Sequence, residues 1–336
     1  MRRQRLSVLL LVGALVPGLA ATACGDDDST SKTTPATTAA ATSPSAAASA
    51  TQATTTYPVK VTDLLGRQVE IKAKPKTVVA LSPTAVELVY AAGQTVVGRT
   101  ETVSFPEAAK QAKSIGTAYQ PNMETVLSLK PDLIVADSVL DAQPQLRKAI
   151  EDSGITVVFA GADSYQKVLD GLKLMGIVFD AKATTDKVAA DVTKARDDAK
   201  AAIASKNITA VAILMDKDQT IYAAKDGSYV GDVLKQAGIT NPANPLPDSG
   251  PFPGYTALPQ EKLLAANPDY IFTTTPAPPP VPRLNTLIPQ IPPFKTLKAV
   301  TTANHVVEVP VELVLEAPGP RIIDLFKALR TAVAGQ

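Results

Sequence analysis

One cysteine, one histidine and no tryptophan stand in a chain of 336 residues, and each shortage closes off some chemistry. The lone cysteine, Cys24, leaves no partner for an intrachain disulfide. Cys24 and His305 together fall short of the nitrogen and sulfur ligands that a bare zinc ion takes, so neither a metal site nor a bound cofactor is expected. His305 follows Asn304 ahead of an apolar segment and reads as a turn residue, with haem ligation as the alternative. No Gly-x-Ser-x-Gly motif occurs and His305 has no evident nucleophile partner, so no catalytic residue is assigned and an enzyme is not expected. Basic residues show no surplus, 33 against 32 acidic ones, and no nucleic-acid partner is implied. Long apolar runs are missing too. The stretch from Leu6 to Ala20 is too short for a comfortable membrane span, and no other span is apparent.

What is present begins with that short apolar stretch. It follows Arg2, Arg3 and Arg5 and ends in Ala21-Thr22-Ala23, small residues suited to a signal peptidase, directly ahead of Cys24. Residues 1–23 resemble a bacterial lipoprotein signal, with Ala21 where that pattern usually has Leu. The resemblance implies an acylated Cys24 as first residue of the mature chain, held to the cell membrane from outside by its acyl chains. The alternative is an ordinary secretory signal followed by a free thiol. Residues 24–57 are a Thr/Ala/Ser/Pro run without hydrophobic period and read as a disordered tether, a glycosylated stalk or an adhesive segment. Loss of residues 1–23 removes three arginines and no acid, leaving 30 basic against 32 acidic residues and a formal charge of −2.

The remaining chain is long enough for two domains, and an internal repeat supports that count. Glu124-Thr-Val-Leu-Ser-Leu-Lys-Pro-Asp-Leu-Ile-Val is echoed 137 residues later by Glu261-Lys-Leu-Leu-Ala-Ala-Asn-Pro-Asp-Tyr-Ile-Phe. Each copy predicts a short helix that stops ahead of Pro131 or Pro268 and gives way to an apolar strand. Strands are also expected at Val78–Leu81, Thr95–Val97, Ile155–Phe159, Thr209–Leu214 and Val306–Val309, with Ser82 and Pro83 opening a helix and further helices near Gln143–Asp152, Val230–Ala237 and Arg321–Val333. Val59–Ile71 reads as a hairpin turning at Gly66, flanking the first sheet. Thr185–Ser205 carries Val188, Val192, Ala195, Ala199 and Ala202 on one stripe and predicts one helix about 30 Å long. Such a helix either bridges two lobes or lies on one domain's surface. The expected borders are an N-terminal lobe at 58–182, a connecting helix at 183–205 and a C-terminal lobe at 206–336.

Several segments together resemble the substrate-binding proteins of bacterial ABC importers for vitamin B12, ferric siderophores and haem. They are Asp63-Leu-Leu-Gly-Arg67, Leu81-Ser-Pro-Thr-Ala-Val-Glu-Leu88 with Ala92-Gly93, Lys130-Pro-Asp-Leu-Ile134, Asp226-Gly-Ser-Tyr-Val-Gly-Asp232 through Gly238, Asn267-Pro-Asp269 and Pro320-Arg-Ile-Ile323. The resemblance implies two α/β lobes with central, mainly parallel sheets, joined by one long helix, with ligand in the cleft between them. It also implies an acidic residue on each lobe that meets basic residues of the permease, which maps to Glu124 and Glu261. The family's cleft loops map to Arg99, Thr102, Phe105 and Tyr119 in the first lobe and Tyr222 and Tyr255 in the second. Arg283, in a Pro-rich insertion from Thr275 to Phe294, is a further ligand-binding candidate, to meet an anionic group or to pack across the lobe. The expected function is extracytoplasmic capture of a small-molecule ligand, a metal chelate such as a ferric siderophore or a corrinoid-like compound, by a monomer that delivers it to its cognate ABC permease. A metal-free organic solute, or an envelope scaffold or sensor on the same fold, are the alternatives.

Overall fold

The computed structural model describes residues 54–335 apart from 138–142, 162, 217, 279 and 317. The signal segment, Cys24 and nearly all of the tether lie outside the described residues. Among the described residues no helix is long and apolar enough to cross a membrane.

A hairpin of β1 (Val59–Thr62) and β2 (Gln68–Ile71) comes first. Its turn needs Gly66 at φ +78°, and the buried Asp63 carboxylate holds it by accepting the N–H groups of Leu65 and Arg67 at 3.1 and 2.9 Å. Arg67 then pins the hairpin to the first sheet, pairing with Asp63 at 2.8 Å, donating to the Val157 carbonyl at 3.0 Å and lying 4.4 Å above the Phe159 ring. That sheet is entirely parallel, in the order β5 (Lys113–Ser114), β4 (Gly98–Arg99), β3 (Val78–Ala80), β6 (Leu133–Ala136), β7 (Thr156–Phe159). The strand expected at Thr95–Val97 begins later, as Gly98–Arg99, with Gly98 opposite Val79 at a place where a Cβ would come within 2.7 Å of the Leu129 side chain.

The crossover helices are α1 (Pro83–Ala91), α2 (Met123–Ser128), α3 (Pro144–Asp152) and α4 (Tyr165–Val178). Ser82 caps α1 by accepting the Ala85 N–H at 3.0 Å, with Pro83 in the first turn. The sequence reading has no counterpart for α4.

α5 (Lys182–Ile203) is the long helix, 22 residues and so about 33 Å. It packs between α4 and α10 (Ile322–Ala334), with Val192 and Ala199 of the expected stripe buried and Val188, Ala195 and Ala202 half-buried. Its outer face carries i,i+4 ion pairs, among them Lys194 with Asp198 at 2.7 Å.

The second sheet has the order β10 (Tyr255–Ala257), β9 (Ile221–Ala224), β8 (Ala210–Met215), β11 (Tyr270–Thr274), β12 (Val306–Glu308). β8, β11 and β12 are parallel, while β9 runs antiparallel to both neighbours, so this sheet is mixed. Its helices are α6 (Tyr229–Gln236), α7 (Gln260–Ala266), the short α8 (Leu284–Leu287) and α9 (Lys298–Thr301), and α10. One apolar core runs from Leu88 and Leu172 through Val192 and Ala199 to Leu234, Leu325 and Phe326, welding the lobes together around α5.

The repeat is a repeat of hydrogen bonds as well as of letters. Lys130 and Asn267 both turn left-handed after their helices, at φ +48° and +38°. Asp132 then accepts the N–H groups of Lys76 and Thr77 at 2.9 and 3.0 Å, while Asp269 accepts the N–H and hydroxyl of Thr209 at 2.8 and 2.9 Å. Each aspartate thereby ties the entry of its own strand to the entry of the central neighbour, once in each lobe.

Candidate functional site

Ser82 turns β3 into α1, and α1 carries the first lobe's side of a contact between the lobes. Glu87, one turn into α1, is buried and pairs at 2.6 Å with Nε of Arg321, the residue that opens α10. Its other oxygen, Oε2, is buried without a hydrogen-bond partner among the described residues. Burial pushes the Glu87 carboxyl up to about 7, against the opposing pull of the Arg321 guanidinium. Tyr229 of α6 lies close enough to feel Glu87, and burial raises its phenol well above the ordinary value. A second tie between lobes joins the first N–H of α4, from Tyr165, to the Asp232 carboxylate at 2.8 Å, and the Tyr165 ring meets Phe326 edge-on at 6.1 Å.

Beside the ion pair opens a hollow of about 470 Å³ lined by both lobes and by the connecting helix: Glu87, Tyr90 and Phe105 from the first, Val188 of α5, and Arg321 and Ile323 from the second. Phe105 is exposed, and the Arg321 guanidinium carbon lies 4.9 Å from its ring centre.

A second hollow, about 500 Å³, lies within the second lobe at the carboxyl ends of β8 and β11. Tyr255 is its floor, 8% exposed, its phenol pushed up to about 12 by burial. Phe252, Val281 and Leu315 form an exposed rim. Tyr222 does not reach the space. Its ring is buried edge-on against Phe252 at 5.2 Å, beneath Gly250. The Pro-rich insertion closes one side, and Arg283 staples it by donating Nη1 to the carbonyls of Thr275 at 3.4 Å and Ala277 at 3.0 Å.

The other sequence candidates lie elsewhere. Arg99 is spent on the carbonyls of Thr100, Glu101 and Lys110, holding the loop that carries Phe105. Thr102 and Tyr119 are exposed and line neither hollow, Tyr119 to 68%. Glu124 and Glu261 are both exposed in the first turns of α2 and α7. His305 stacks on Tyr270 at 3.8 Å between ring centres, with Nδ1 2.7 Å from the Asp269 carbonyl oxygen, so it serves the strand entry rather than a ligand. Among the described residues no three His, Cys, Asp or Glu side chains gather as a metal site. Glu87, Phe252, Leu315 and Arg321 line the hollows without standing among the sequence candidates. Only Glu87 and Arg321 lay inside segments that carried a resemblance.

The sequence profile of the periplasmic binding protein family matches residues 78–312, which takes in both sheets and the helix between them. The chain belongs to that family. It is a solute-binding protein of the ABC-transporter kind rather than an enzyme. An uncharacterized ABC transporter substrate-binding lipoprotein of Bacillus subtilis (strain 168), YvrC, is 29% identical over 231 residues, 66% of this chain and 71% of that one. A vitamin B12-binding protein of Salmonella choleraesuis (strain SC-B67) is 34% identical over 110 residues, 33% of this chain and 41% of that protein. In structure, the petrobactin-binding protein YclQ of Bacillus subtilis superposes with a TM-score of 0.71 at 17% identity, over 82% of this chain and 98% of that one, a likeness of fold.

Proposed function

We propose that this solute-binding protein is the capturing component of an ABC importer, held outside the cell membrane by an acylated Cys24 and acting as a monomer. Residues 24–57 serve as the spacer, 58–182 and 206–336 as the two lobes, and 183–205 as their link. The observation that carries the reading is the inter-lobe hollow, where Phe105 and Arg321 face each other across a junction made rigid by α5 and the Glu87 pair. A concave site of that size, part aromatic and part cationic at a junction of two units, suits an organic molecule. The ligand is a bulky metal chelate, a ferric siderophore or a corrinoid-like compound, a class supported by the relatives that bind vitamin B12 and petrobactin. Such a chelate brings its metal already coordinated and asks no metal ligand of the protein. Glu124 and Glu261, exposed at matching places on the two lobes, meet the permease.

A thermal-shift screen across ferric siderophores, haem, cobalamins and metal-free solutes tests the reading, because a ligand that binds only the folded state raises its apparent stability by mass action. At least one chelate is expected to raise the melting temperature in a saturable way. Failure of every chelate beside tight binding of a metal-free solute would overturn the ligand class, and silence across the whole screen would overturn the capture role.

A further inference from the structure

We infer that the second-lobe hollow takes an uncharged, apolar arm of the ligand, an alkyl or aryl group, and rejects anionic ones. The inference rests on the capture role just proposed and narrows the chemistry of what is captured.

Apart from the neutral Tyr255 hydroxyl, the side-chain polar atoms of the wall are held by bonds within the fold. Asp216 is the only charged residue lining the space among the described residues, and its Oδ1 accepts the N–H groups of Asp218 and Thr220 to close the β8–β9 turn. Thr275 donates its N–H to Glu308, while its hydroxyl oxygen accepts the Leu284 N–H and its carbonyl accepts from Arg283. The insertion contributes Pro276 and Pro282, which have no N–H to offer. The Ala277 carbonyl between them is taken by Arg283. What remains facing the space is carbon, from Leu214, Phe252, Val281, Leu287 and Leu315, above the neutral Tyr255.

Charge makes the discrimination. No cation lines this hollow among the described residues, and Arg283, between the lining residues Pro282 and Leu284, points its Nη1 into the loop's own carbonyls. A carboxylate, sulfonate or catecholate entering here would shed its water beside the Asp216 carboxylate with no cation to replace it, a large penalty in a low-dielectric wall. An alkyl or aryl group loses nothing and gains contact. The shape favours a small molecule over a protein surface. A buried floor and an exposed rim, with a volume of about 500 Å³, make a concavity of the size that small ligands fill.

Two related fluorescent probes separate the possibilities: neutral N-phenyl-1-naphthylamine and anionic 1-anilinonaphthalene-8-sulfonate, titrated into the purified full-length chain. Saturable binding of the neutral probe is expected, at least tenfold tighter than that of the sulfonate. Val281→Glu and Leu315→Glu alter exposed rim positions, so the fold survives them, as circular dichroism would verify. Each is expected to weaken the neutral probe at least tenfold, while Thr102→Glu, exposed and lining neither hollow, leaves it within twofold. Equal or tighter binding of the sulfonate, or rim variants that bind like the wild type, would overturn the inference. Chelate stabilisation that persists in Val281→Glu without any probe binding sinks this inference alone. Saturable, rim-sensitive probe binding with a silent chelate screen sinks the ligand class and leaves the apolar subsite standing.

Discussion

Arg321 reaches from the second lobe to Glu87 of the first at 2.6 Å, and this pair joins the Tyr165–Asp232 bond in fastening a junction packed mainly with apolar side chains. Asp324 also presses on Glu87 from the first turn of α10. A carboxyl buried this deeply holds its proton to about pH 7 although its cationic partner touches it.

The pH dependence follows. Between the ordinary carboxyl value of 4.5 and about 7 the folded protein keeps a proton that the unfolded chain has released. The stabilisation linked to Glu87 is therefore complete below pH 4.5 and is lost as pH rises through 7. At about 1.4 kcal/mol per unit, the difference is on the order of 3 kcal/mol. Urea unfolding at pH 4.5 to 8 should show Glu87→Gln with a shallower decline than the wild type. Parallel curves would mean that Glu87 does not titrate in this window.

Lys130 occupies a left-handed position that costs an L-residue roughly 1 kcal/mol or more. Lys130→Gly should raise stability by about 0.5 kcal/mol, the relief exceeding the extra entropy lost by glycine, and Lys130→Val should lower it by about 1–2 kcal/mol. Asn267 differs, since its side chain also accepts the Lys298 N–H at 2.8 Å. Asn267→Gly should give no gain, because that bond is lost as the strain is relieved. Chemical denaturation of the three variants measures both statements.

Docking through Glu124 and Glu261 predicts that reversal of both to lysine slows uptake into vesicles carrying the cognate permease more than either single change, and more than neutralisation to glutamine. Ligand affinity should stay within twofold, because both side chains are exposed and line neither hollow. Undiminished uptake by the doubly reversed protein would remove the role.

Cys24→Ala should release the protein from membranes of a host that processes lipoproteins, and mass spectrometry of the wild type should find acyl chains on an N-terminal Cys24. A wild-type chain that is soluble and unacylated would leave the tether without an anchor.

Much of the fold was legible because its signals are local. Ser82-Pro83 announces a helix start, Pro131-Asp132 and Pro268-Asp269 announce strand entries, and the stripe on α5 shows its period within five turns. α4 has the period as well, with Val168, Leu172 and Met175 buried along it and Phe179 buried just past its end, but Gly171 and Gly176 lower its helical propensity. Those glycines answer to packing partners outside the helix. A Cβ on Gly171 would stand 3.3 Å from both the Ala160 carbonyl oxygen and a Leu88 methyl, and one on Gly176 would overlap the Thr185 hydroxyl. The site was less legible for the same reason. Arg99, Arg283 and Arg321 are alike in sequence, yet two of them brace loops and the third crosses to the other lobe. Each hollow, too, is assembled from segments far apart in the chain, as Leu214 and Leu315 are.

α5 is gripped by α4 and α10, a grip that, if it holds in both states, keeps the distance between the two lobes' outer surfaces the same with and without ligand. If Glu124 and Glu261 make the dock, a permease gauging the protein by that distance meets the same ruler on vacant and occupied molecules. Vacant copies then compete with occupied ones for each transporter. Import at a fixed ligand supply should rise with added protein only until the ligand is all captured, and fall beyond that point as vacant copies fill the docks.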